Sequence, residues 1–491
     1  MCVHCKGVSR RGFLEAVSAS AAVLGAGAVT GALGASLGTA PSRPKSKIRV
    51  GRVYLAVPAS GWPKPDLNLA ADVRKYEDEF AKLKPQLADV EFVEGGLVTS
   101  GQQLAAVKEK FKGVSGILAI HLNCGVTGYV NSLLELGAPL VFFAMPYAGH
   151  EWHTIASMQR LGRKIEMFPT SNYADLAAAV RPFRAIQRLK EAKLLYIRDP
   201  GPDPQYVKAI REKFGTEIVN VPSQELVAAY RAIPPADAEA HAATWIRGAE
   251  KVVEPPKEDI VKGARMDLAL FKLVEAAGAS TITINCLGMG LIDRDMGYPC
   301  LGFCRLNDVG LGGVCEADLK SAMTHLLFLN LVGKPGFVTD PVIDLATNTI
   351  IHAHCVSATK MDGVEGPAAP YVIRNHLEDH RGCVLQVKMR IGERITMSRL
   401  IGSDVLLYST GEIVGTPDVD RGCRTKIAVK VGSAQKFLDN WSCGLHRVVF
   451  YGDHAADLRR FCRFKGIRLV NEETDDVHRV PGLEWQPQIH A

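Results

Sequence analysis

One change of pattern, near Phe337, limits what this chain can fold into more than any motif does. Upstream, short apolar runs alternate with stretches of helical periodicity. Ile48–Val57, Gln86–Val93, Gly116–Leu122 and Pro139–Ala144 read as strands, with helices over Leu69–Lys84, Gln102–Lys112 and Tyr129–Leu136 between them. A second unit of the same kind starts near Leu176, with strands at Lys193–Arg198, Glu217–Val221 and Ser280–Cys286 and a helix over Val261–Ala277. The mixed-charge stretch His241–Lys262, broken by Pro255-Pro256, reads as a solvated helix and turn. Strand–helix alternation argues parallel α/β layers. Downstream, Cys383–Arg390, Ile395–Leu400, Asp404–Thr410, Thr425–Val431 and Arg447–Tyr451 follow one another across Gly/Asp turns. Strands without intervening helices argue a β-rich barrel or sandwich. The expected fold is α/β: two Rossmann-like parallel α/β domains followed by a β-rich, barrel-like C-terminal domain. At 491 residues the chain is too long for one core. The expected boundaries are 47–172, 173–335 and 336–482.

Ahead of these comes a segment of another kind. Ser9-Arg10-Arg11-Gly12-Phe13-Leu14 fits the twin-arginine export pattern, and an Ala/Gly/Ser-rich stretch from Ala16 to Ser42 follows it. Gly38-Thr39-Ala40 is a small-residue cleavage site, so residues 1–40 read as a signal segment handed to the twin-arginine machinery. The expected location is the periplasm or cell envelope. The stretch is long enough to span a bilayer, so a membrane anchor stays open if the leader is not cleaved. The twelve cysteines are scattered and do not read as a disulfide framework. Cys2-Val3-His4-Cys5 falls inside the leader, and Cys300 and Cys304 have no second pair to make a zinc ribbon. The net charge of +6 comes with no dense Lys/Arg face interleaved with aromatics, so nucleic acid is not an expected partner. Leu287-Gly288-Met289-Gly290-Leu291 lacks the dinucleotide spacing, and no P-loop is present.

The chemistry concentrates around the change of pattern. Glu316 follows Gly310, Gly312 and Gly313, while Asp340 is flanked by Thr339 and Pro341. Such neighbours put a carboxylate on a loop or at the end of an element, where it faces a cleft. His352 and His354 follow closely, and His446 opens a short apolar strand. Two acids and imidazoles are the ligand mix of a divalent-metal site. The plainer alternative is that Glu316 merely starts a helix over Ala317–Leu331, at the positive end of its dipole. Two loops, 121–125 and 146–152, lie beyond strand ends, where α/β sheets bind ligands, and the second is dense in polar and aromatic groups, as a sugar pocket would be. Asn123, His150, Glu151 and Trp152 are the candidate substrate contacts; a packed surface loop is the alternative.

The run from Pro299 to Cys355, with its CEADL, VTDP and NTIIHAHC segments, resembles the L-fucose isomerase/L-arabinose isomerase superfamily. So do Gly422-Cys423-Arg424-Thr425 and the tail from His446 through Gly452-Asp453-His454 to Gly466-Ile467. The likeness covers most of the chain after the leader, best from Thr281 onward. It implies two α/β units and a β-rich domain with a divalent metal at their junction, usually Mn²⁺, with Mg²⁺ or Co²⁺ as substitutes. It implies that Glu316, Asp340 and His446 hold that metal, with His354 matching a further ligand of the arabinose branch and His352 the weaker match of that pair. The interval of 24 residues from Glu316 to Asp340 is that of the fucose enzymes. The implied activity is aldose–ketose isomerisation of a monosaccharide through an enediol, with Glu316 and Asp340 as the acid–base pair, in a homo-oligomer. A non-catalytic sugar-binding protein of the same fold, or another metal-dependent carbohydrate enzyme such as a lyase or hydrolase, stays open beside it.

Overall fold

The computed structural model describes residues 46–58, 60–441, 443–481 and 483. The signal segment expected over 1–40 lies outside the described residues, and among those described no helix is long and apolar enough to cross a membrane. The fold is α/β with two parallel sheets and a closed antiparallel barrel in the C-terminal region.

Five strands, Ile48–Leu55, Val90–Val98, Gly116–His121, Leu140–Ala144 and Ile165–Pro169, form the first sheet in the order second, first, third, fourth, fifth. Every pairing is parallel. Both faces are covered, as an all-parallel sheet requires. Tyr76, Phe80 and Phe183 pack on one face and Leu104, Val107, Val130 and Leu133 on the other. Burying side chains of this size stabilises by roughly 1.5–3 kcal/mol each. The helices start where the sequence supplies caps: Asn68 accepts the amide of Ala71, and Ser100 that of Gln103. The second strand sits later than the expected Gln86–Val93, because it runs through Gly95-Gly96. There the register shifts, and a Cβ on Gly95 would lie 2.9 Å from the Phe111 ring. Helix Trp152–Arg160 and strand Ile165–Pro169 were not expected; their apolar residues are too sparse to show a period.

The second sheet is shorter: Gly312–Val314, Thr281–Ile284, Lys193–Ile197 and Glu217–Asn220 in spatial order, all parallel. The region 241–262 is not one solvated helix and turn. Helix Pro235–Gly248 buries Trp245, and Lys251–Val252 pairs with Tyr371–Arg374, joining this unit to a small sheet beside the barrel.

Six strands close the barrel: Arg394–Ile401, Arg447–Tyr451, Phe337–Asp344, Thr349–His354, Thr425–Lys430 and Val405–Gly415, the last pairing back to the first. Closure removes the sheet edges that would otherwise template aggregation. Phe337, Ile350, Ile395, Ile427 and Val449 belong to the core it encloses. Between the barrel and the second sheet lies helix Leu319–Val332, apolar around nearly its whole circumference, as a helix buried on all sides must be. Helix Ala455–Lys465 then returns to the first sheet, where Phe464 stacks on Phe183 and Arg463 pairs with Glu166 at 2.7 Å.

Candidate metal centre

Four elements deliver Glu316, Asp340, His354 and His446 to one point, where one donor atom from each lies within 4.8 Å of the others. Glu316 sits in the turn after strand Gly312–Val314. It and Ala317 adopt φ of +64° and +52°, two adjacent non-glycine residues in the left-handed region. Such backbone costs on the order of 1–3 kcal/mol per residue and is found where function requires it. Asp340 lies on strand Phe337–Asp344 opposite Ala353, His354 ends the neighbouring strand, and His446 immediately precedes Arg447, which pairs with Thr339. Three neighbouring barrel strands thus supply three of the four groups at one rim, and the second sheet supplies the fourth.

The helix start expected at Glu316 falls two residues later. Asp318 is the N-cap, accepting the amides of Lys320 and Ser321 at 3.0 and 3.2 Å. Glu316 is therefore free of any capping duty. Asp318 has a second partner, since the His446 Nδ1–H donates to its Oδ2 at 2.9 Å. Arg399 donates to the same oxygen at 2.7 Å, and its guanidinium also reaches the carbonyls of Cys443 and His446. Burial would raise the Asp318 pKa, but Arg399 and His446 outweigh it and hold the group well below the usual carboxylate range.

With Nδ1 committed to Asp318, His446 turns Nε2 toward Asp340 at 3.1 Å and Glu316 at 3.3 Å. That nitrogen is buried and has no hydrogen-bond partner. A carboxylate behind the imidazole and a lone pair in front is how a metal-ligating histidine is held. Behind His446, Arg447 is fully buried and pairs with Glu472 at 2.5 Å, which fixes the strand that carries it.

His354 is held differently. Its Nδ1 accepts the amide of Cys355 at 2.9 Å, so the ring proton belongs on Nε2, 3.5 Å from Glu316 and 3.9 Å from Asp340. In this tautomer His354 faces the two acids as a donor rather than with a lone pair. His352 is not in the cluster; it is buried against Thr339 Oγ1 at 2.8 Å.

The charges respond to one another. His354 and His446, facing Glu316 at 3.5 and 3.3 Å, hold its carboxylate well below the usual range. Burial pushes His446 down, but Asp318, Asp340 and Glu316 together raise it to about 11. Burial likewise opposes protonation of His354, which Glu316 and Asp340 raise to about 8. In the metal-free protein, the His446 imidazolium and the Nε2–H of His354 stand where a divalent cation would balance two carboxylates. The donor set fits such an ion: two partly exposed carboxylates and a buried imidazole whose Nε2 has no other partner.

Thiols line the back of the site. Cys286 and Cys315 Sγ lie 3.1 Å apart, and all ten described cysteines are free. In front, a cleft of about 580 Å³ is lined by Glu316, Asp318 and His446 together with Tyr196, Arg198, Tyr206, Lys320 and Arg399.

The four candidate substrate contacts are elsewhere: none of Asn123, His150, Glu151 and Trp152 lines this cleft. Asn123 is buried and bonds both the amide and the carbonyl of Val57. Glu151 is buried, taking the amide of Gly125 at 2.6 Å and facing His121 Nε2 at 2.9 Å. His150 packs on the Trp62 ring, while Trp152 is exposed at the start of its helix. Sequence reasoning missed Arg198, Lys320 and Arg399. The signal for Lys320 was its place in the first turn after the Asp318 cap, while Arg399 is brought in only by barrel closure. No family model matches the chain, and no curated protein matches it.

Proposed function

We propose that the protein is a metal-dependent aldose–ketose isomerase acting on a monosaccharide through an enediol, as the resemblance to the L-fucose/L-arabinose isomerases implies. One observation carries the reading: His446, braced by Asp318, directs an unpartnered Nε2 to the point where Glu316 and Asp340 converge. A divalent ion held there, Mn²⁺ by preference and Mg²⁺ or Co²⁺ as alternatives, would polarise a carbonyl and acidify the neighbouring hydroxyl.

The chain's own groups do the rest. Isomerisation moves a proton between adjacent carbons, so it needs a base at the carbon acid and a donor at the oxygens. Glu316 and Asp340 are the pair to divide ligation and proton transfer. Glu316, held as a carboxylate by the histidines, suits ligation. His354 keeps a proton on Nε2 at neutral pH and faces both acids, where it orients them and donates to an oxygen. The Asp318–Arg399 pair fixes the His446 ring and closes the site from behind. By resemblance the active form is an oligomer.

The test is metal content by mass spectrometry on purified protein, wild type beside a Glu316→Ala/Asp340→Ala variant. A near-stoichiometric divalent metal, absent from the variant, followed by interconversion of an aldose and a ketose that only the wild type performs, is the expected result. No metal after incubation with Mn²⁺ overturns the reading.

A further inference from the structure

We propose that the molecule taken into the cleft carries an oxyanion, a carboxylate or a phosphate, which Arg198 and Lys320 bind beside the metal cluster; this rests on the metal-site reading above. Beside the His446 imidazolium of the cluster, three further cationic side chains line the cleft: Arg198, Lys320 and Arg399. Arg399 is neutralised by Asp318 at 2.7 Å and spends its other donors on backbone carbonyls and Ser321. The other two differ. Among the described residues, no carboxylate lies within ion-pair distance of Arg198 or of Lys320. Among those residues, the Tyr196 hydroxyl is a side-chain partner of Arg198.

The acids of the cleft are already committed. Glu316 belongs to the metal cluster, and Asp318 to Arg399 and His446. Asp203 caps the helix Pro204–Phe214, accepting the amide of Gln205 at 2.9 Å. Lys320 is partly buried, and that burial, with Arg399 nearby, lowers its pKa despite the opposing pull of Asp318. Two partly desolvated cations facing an open cleft gain most from an incoming anion, and the planar guanidinium matches a carboxylate or phosphate edge.

Position agrees with charge. Arg198 follows strand Lys193–Ile197, beyond the carboxyl end of a parallel sheet, where open α/β layers bind ligands. Lys320 lies in the first turn of helix Leu319–Val332, whose end favours negative charge. The cleft, about 580 Å³, holds a monosaccharide with a charged arm.

Calorimetric titration of the full chain tests this, with inorganic phosphate and malonate as probes, each in the metal-free and the Mn²⁺-loaded protein. The expected result is saturable binding of one probe at one site per chain in the metal-free protein. That binding should weaken at least about tenfold in Arg198→Gln/Lys320→Gln and be partly restored when Arg198→Lys replaces Arg198→Gln. Which probe binds tells phosphate from carboxylate. Circular dichroism identifies any variant that has not folded, and Lys320→Gln alone then gives the reading. Saturable binding of neither probe, or equal affinity in the folded variants, overturns the proposal. Because the metal-free arm does not depend on Mn²⁺, failure to bind metal would sink the isomerase reading while leaving this result legible.

Discussion

Each parallel sheet ends in a cluster of histidine and carboxylate, and the two clusters have opposite economies. Beyond the first sheet, His121 and Glu151 are both buried, and Glu151 is committed to the amide of Gly125 and to the imidazole. A Cβ on Gly149 would come within 2.3 Å of the His121 ring, so the chain is packed onto the pair with no room left. Beyond the second sheet, the Glu316 and Asp340 side chains keep 36% and 30% of their surface exposed while His446 and His354 are buried behind them. The same residue types therefore build a knot in one place and an opening in the other. What separates them is whether an outside group braces the histidine. Asp318 and Arg399 do so for His446, leaving its inner nitrogen to face the opening.

The largest effect that can break this contrast is on metal affinity. Glu316→Gln is expected to weaken Mn²⁺ binding by more than the roughly 100-fold seen for the loss of an outer partner, while Glu151→Gln leaves it unchanged. Equal losses in both variants, measured by titration, would erase the distinction. Next comes the brace. Asp318→Asn is expected to lower Mn²⁺ affinity about 10–100-fold without removing any ligand, and unaltered affinity would show that His446 needs no orienting partner.

The knot should answer in stability instead. Glu151→Ala is expected to cost about 1–3 kcal/mol in urea unfolding, because His121 and two loop amides lose a buried acceptor. The acid limb sharpens this. Burial opposes ionisation of Glu151, yet its bonds to His121 and Gly125 hold it at about 2, below the ordinary 4.5. Its contribution is present above pH 4.5 and lost as the pH falls through about 2. The stability gap between wild type and Glu151→Gln should close over that window; a gap constant with pH would mean the carboxylate charge plays no part.

The smallest effect is a proton count. His446 is raised to about 11, so the metal-free protein carries a proton there at neutral pH, and ligation through Nε2 must expel it. Mn²⁺ uptake should release about one proton and tighten as the pH rises, read by calorimetry in buffers of different ionisation enthalpy. No release would mean that His446 does not ligate.

Much of this was legible in the chain. Alternation upstream of Phe337 and strand runs downstream predict the layers, and local glycines and turns mark Glu316 and Asp340 as cleft-facing. The resemblance singled out His446, and His354 ahead of His352, as ligands, and the structure brings both to the same point. What escaped was set by long-range register. Asp318 reads as an ordinary acid until the fold sets His446, 128 positions on, against it. Arg399 joins only because strand Arg394–Ile401 pairs with Arg447–Tyr451. Loop 146–152 misled for the opposite reason: its polar composition suits a sugar, but Glu151 is consumed by its own neighbours.

Barrel closure also sets an order of events during synthesis. Phe337–Asp344 and Arg394–Ile401 both wait for Arg447–Tyr451 to sit between them, and that strand brings in His446. Until the ribosome has passed Tyr451, the nascent chain can hold Glu316 and Asp340 but not the finished four-residue cluster. Under the proposed function, metal capture would therefore come only after all four groups of the cluster have been synthesised.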